Sequence, residues 1–166
     1  APTPAAEAAR QSFDWLDDLA ALGVARARAR AREWTSAWLS AQGGGRGAGW
    51  TVPRGLARLS RLMGHAEWLG DGDPTGGALA LDRAYAVHLR FLAARLEGSA
   101  AQAGDLPALT LAARAVAVAA GLDGGHVLRE RAQRLLEARA VRAIAADGGI
   151  AERCPEALAE AFVALA

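Results

Sequence analysis

At 166 residues with 52% hydrophobic residues, the chain can bury one continuous core, and its net charge is only +1. All 19 basic residues are arginine and 18 acidic residues offset them, which argues against a dedicated nucleic-acid binder. A single cysteine, Cys154, excludes an internal disulfide, and no apolar run reaches the about 20 residues that a bilayer span needs.

Ala, Leu, Arg and Glu dominate and β-branched residues are sparse, so the composition points to an all-α fold. Residues 1–11, Pro- and Ala-rich without a pattern, read as a flexible N-terminal arm, and a helical domain is expected over 12–166. Asp14 is placed to cap a short helix, WLDDLAAL, which Gly23 ends. A longer helix runs from about Val24 to Ala41 and stops at the GGGRGAG loop of 43–49. Within it, Arg26, Arg28, Arg30 and Arg32 read as a solvated face, whereas Trp34 and Trp38 read as core.

Pro53, Pro74, Pro107 and Pro155 each sit where a helix should begin, because proline's missing N–H has no intrahelical partner in the first turn. Asp73 and Asp105 supply capping carboxylates, and Gly70, Gly98, Gly121 and Gly148 lie near the opposite ends. Helices are thus predicted over 53–69, 75–97, 106–121, 126–145 and 155–166. Leu56, Leu59, Leu62, Met63, Ala66 and Leu69 form one apolar stripe, and Leu81, Tyr85, His88, Leu89, Leu92 and Leu96 form another. Short connections make successive helices antiparallel neighbours, a stack of helical hairpins.

Chemistry has few footholds. Arg58, Arg61 and His65 fall within two turns, with Trp50 before that helix and Trp68 at its end. Arginine pairs with carboxylate or sulfate and indole stacks on a pyranose face, so this group suits an acidic sugar; the alternative is a solvated helix face. Tyr85 and His88, three apart, read either as a proton-transfer pair or as a core histidine with a neighbour. Asp147-Gly148-Gly149 forms a tight reversal before Glu152 and Arg153, a clasp between helices or part of a sugar cleft. His65, His88, His126 and Cys154 lack paired ligand spacing, so no metal or other cofactor is expected.

The succession SFDWLDDLAALG (12–23), GW-x-VP (49–53), RLSRLMGHAEWL (58–69), DLPALTLAARAVAVAAGL (105–122) and ADGGIAERCPE (146–156) resembles the helical N-terminal region of the bacterial heparinase II/III-like family. The resemblance implies antiparallel hairpins forming part of an incomplete α/α toroid, normally followed by a β-sandwich domain. It further implies a polysaccharide lyase of the periplasm or cell envelope, cleaving uronate-containing glycans by β-elimination. A cytoplasmic location is the other option.

On that basis His65, Glu152, Tyr85 and His88 are the catalytic candidates. Trp50, Arg58, Arg61, Trp68, Asp147 and Arg153 are the substrate-binding candidates. The family's Tyr-His pair is replaced by Ala157 and Leu158, and an Asn-His pair near 106–121 is absent. The rival expectation is therefore a non-catalytic helical module that binds glycan or protein. A partial ring leaves apolar edges, which predicts self-association or a further C-terminal β-sandwich domain.

Overall fold

A computed structural model describes residues 3–70 and 77–150, together with 155, 156 and 159. The described residues are all-α: α1 Pro4–Ser12, α2 Asp14–Ala21, α3 Ala25–Gln42, α4 Val52–Gly64, α5 Ala66–Gly70, α6 Gly77–Gln102, α7 Asp105–Ala120 and α8 His126–Ala143. The one β-type pairing among them is an isolated antiparallel bridge between Ile144 and Ile150. None of these helices is long and apolar enough to cross a membrane. The chain divides into two compact units, residues 1–88 and 89–166, with the boundary inside α6.

In the first unit the expected arm is instead a helix. Thr3 accepts a hydrogen bond from the Ala6 N–H and Pro4 opens the first turn, so α1 starts with a cap. It ends at Phe13, whose left-handed φ of 65° reverses the chain directly into α2. That conformation is strained for a residue with a Cβ; it places the Phe13 ring in the core, fully buried. Asp14 consequently is the first residue of α2 rather than its cap, and its carboxylate pairs with Arg61 at 2.8 Å. Gly23, with φ 64°, makes the expected stop.

The predicted helix over 53–69 is two helices. Thr51 caps α4 and Pro53 sits in its first turn, but regular geometry lapses at His65 before α5 begins. Leu56, Leu59, Leu62 and Leu69 are buried as the stripe requires. Of the two tryptophans read as core in α3, Trp38 is 6% exposed but Trp34 is 44% exposed and packs edge-to-face on Trp15. Arg26 and Arg30 are exposed as expected, whereas Arg32 is half-buried and donates from Nε to the Leu69 carbonyl at the end of α5.

In the second unit, α6 passes through Gly98 without stopping. Asp105 is the first residue of α7, not its cap, and it binds Arg139 and Arg142 of α8 at 2.6 and 3.3 Å. Ala108, Ala112, Ala115 and Ala119 are buried along α7, where small side chains let α8 approach closely. Leu106, Leu109, Ala143 and Ile150 close the end of this core. The helix expected over 155–166 falls largely outside the described residues.

Candidate functional site

In the first unit the buried face of α4 carries a charged residue. Arg58 lies three residues after Gly55 and four before Leu62, both buried, so helix geometry points it inward; its exposure is 0%. It was expected to line a surface cleft or to face solvent, and it does neither. Its guanidinium carbon sits 4.0 Å from the ring centre of Trp38 and 4.7 Å from that of Trp50, with Phe13 at 5.8 Å. The electron-rich indole faces take part of the role of water around the cation.

Hydrogen bonds complete the setting. Arg58 Nη1 donates to the Gln11 carbonyl at 2.6 Å and to the Gly49 carbonyl at 3.3 Å, and Nε donates to His88 Nε2 at 2.8 Å. Nη2 has no hydrogen-bond partner among the described residues. Gln11 is itself a hub, accepting from Trp38 Nε1 at 2.9 Å and donating to Glu7 at 2.8 Å. Gly49 is required here, because a Cβ would overlap the Gln11 side-chain amide. Sequence reasoning missed Gln11, although its place one turn after Glu7 and just before Phe13 puts it on the inner face of α1.

His88 has one available state. Its Nδ1 is 2.7 Å from the Ala84 carbonyl, which can only accept, so Nδ1 carries the proton and Nε2 offers its lone pair to Arg58. The ring is fully buried and packs at a tilt of 41° against Trp50, with ring centres 4.6 Å apart. Burial, and then the Arg58 charge, push its pKa down to about 3. Burial, and then the charge of Arg54, lower Arg58 to about 9, which leaves it protonated at neutral pH. Tyr85 does not pair with His88; its hydroxyl donates to the Leu62 carbonyl at 3.1 Å, and burial raises its pKa.

A second cluster lies at the surface, at the far end of α4. Arg61 bonds Asp17 at 2.7 Å, Asp14 at 2.8 Å and the Ser12 carbonyl at 3.0 Å. The other oxygen of Asp17 is 2.8 Å from His65 Nε2. Desolvation pushes the Asp17 carboxyl upward, but the hydrogen bonds from Arg61 and then His65 together outweigh it and hold the group below its ordinary value. The His65 ring stands 6.3 Å from Trp68, and the Arg28 guanidinium is 5.9 Å from the Trp68 ring.

The sequence-chosen residues therefore separate. Trp50, Arg58 and His88 meet in the core of the first unit; Arg61, His65 and Trp68 meet on its surface. Asp147 belongs to the second unit, in an exposed turn where its carboxylate accepts from the Gly149 N–H at 2.9 Å. Glu152 and Arg153 lie outside the described residues. No group of three His, Cys, Asp or Glu suited to a metal ion occurs among the described residues. Comparison with protein-family models, with curated proteins and with solved structures gave no match.

Proposed function

We propose that this chain is a helical domain of a heparinase II/III-like protein, part of an incomplete α/α toroid, that holds acidic glycan without cleaving it. The observation that carries this reading is the internal engagement of Arg58. A lyase needs a cation free to neutralise the uronate carboxylate, and this one is spent on His88, Gln11 and Gly49 inside the core. What remains at the surface suits binding. The Trp68 indole offers a stacking face for a sugar ring, with the His65 ring 6.3 Å and the cationic Arg28 guanidinium 5.9 Å away, while Arg61 is engaged by Asp14 and Asp17. The resemblance in sequence supports a uronate-containing polysaccharide of the bacterial envelope as the ligand class.

One observation favours a second reading, a lyase that uses His65 as base. Asp17 on Nε2 fixes the imidazole with its proton there and leaves the Nδ1 lone pair to remove the proton at C5 of the uronate. The electron pair then forms the C4–C5 double bond, the glycosidic C4–O bond breaks, and an acid protonates the departing oxygen. Incubation with a panel of uronate-containing polysaccharides separates the two readings. Binding by calorimetry that weakens in Trp68→Ala, with no ultraviolet absorbance from unsaturated uronate, is expected. Product formation lost in His65→Ala would replace the binding reading with the lyase, and absence of both binding and product would remove each.

A further inference from the structure

Two basic groups face each other in the first unit with no acid between them. His88 on α6 meets Arg58 from α4, Trp38 from α3 at 6.5 Å between rings, and Trp50 from the loop before α4. Gln11 of α1 stands behind the guanidinium through its carbonyl, and Arg54 adds a second positive charge along α4. Among the described residues no carboxylate forms an ion pair with Arg58 or His88; the nearest in the network, Glu7, reaches them only through Gln11. Both ring nitrogens of His88 are committed, one as donor to Ala84 and one as acceptor from Arg58.

We propose that the Arg58–His88 contact is an acid-sensitive latch on the unit formed by residues 1–88. A proton on His88 Nε2 removes the acceptor for the Arg58 Nε–H and sets two cations side by side in a dry core. At mildly acidic pH that proton is taken up by opening, which withdraws His88 from the indole of Trp50. An opened chain binds the proton at the ordinary histidine value of 6.5, whereas the closed one resists it until about 3. Because the folded value is depressed, the stabilisation is complete above about pH 6.5 and is lost progressively as pH falls towards 3. Each pH unit inside that window raises the unfolding constant about tenfold. The carboxylates act lower: Glu7 titrates from 4.5 when unfolded to about 2 when folded.

The test is urea unfolding of the full chain at a series of pH values, followed by tryptophan fluorescence. All five tryptophans lie between residues 15 and 68, so the signal reports this unit. In His88→Gln the amide oxygen can still accept from Arg58 but cannot take a proton. The wild type should gain about tenfold in unfolding constant per pH unit relative to the variant between about pH 6 and 4.5. Parallel profiles for the two proteins would overturn the latch. Should the variant fail to fold, the wild-type histidine ring resonances decide. His88, one of three histidines, should keep its neutral shift down to about pH 4 while the chain stays folded. A His88 that titrates near 6.5 in the folded protein would overturn the proposal.

Discussion

Replacing Arg58 by methionine tests the core arrangement directly. Methionine keeps the length of the stem and removes the guanidinium, leaving the Gln11 carbonyl and His88 Nε2 without the donors that reach them at 2.6 and 2.8 Å. Each stranded buried acceptor costs about 1–3 kcal/mol, and losing a desolvated cation–π contact costs about 2 kcal/mol more. Against this, the variant no longer buries a charge, a relief of several kcal/mol in its own right. The net expectation is a loss of about 2–3 kcal/mol. His88→Leu should cost more, about 3–5 kcal/mol, because it strands the charge rather than removing it. The double variant should then be markedly more stable than the sum of the two, with a coupling of about 1–3 kcal/mol. Urea titration read by tryptophan fluorescence measures all four corners of this cycle. An Arg58→Met variant within about 0.5 kcal/mol of wild type would refute the reasoning, since that is the behaviour of a surface arginine.

Further expectations concern other contacts. Gly49→Ala should destabilise the first unit by about 1–3 kcal/mol, because its Cβ meets the Gln11 amide that also holds Trp38; the same titration checks it. Leu62→Ala, at a fully buried position, should cost about 2–5 kcal/mol in the same assay. Asp105→Ala opens the clasp to Arg139 and Arg142, but these groups are partly solvated, so circular-dichroism melting should show a loss of at most about 1 kcal/mol. Glu7 is held down to about 2 by its bonds to Arg10 and then Gln11, so its contribution is present above 4.5 and fades as pH falls towards 2. Glu7→Gln should flatten the acid limb of the stability profile in that window and lower the plateau near neutrality, the two proteins converging as pH falls towards about 2.

Much of this architecture is legible in the sequence. Helix class follows from composition, and the α4 and α6 stripes follow from spacing, because Leu56, Leu59, Leu62, Leu89, Leu92 and Leu96 recur at helical period and are buried. Thr51-Val52-Pro53 and Gly23 mark helix ends by local backbone chemistry alone. Other ends depend on what surrounds them. Gly98 permits a stop but does not impose one, and α6 continues through it. Asp14 and Asp105 can serve as caps, yet distant guanidinium groups compete for their carboxylates and prevail.

The site was less readable still. Arg58, Arg61 and His65 look like one basic row in the sequence, but a rotation of about 300° between positions 58 and 61 separates an inward residue from an outward one. Only the three-dimensional structure supplies the two indoles and the neutral imidazole that make a buried arginine tolerable. Local sequence determines which backbone conformations are cheap, and therefore that this chain is helical and roughly where its helices begin. Which polar side chains face the core is decided by partners dozens of residues away, such as Gln11 and His88 for Arg58, because a buried charge is stable only where all its neighbours arrive together.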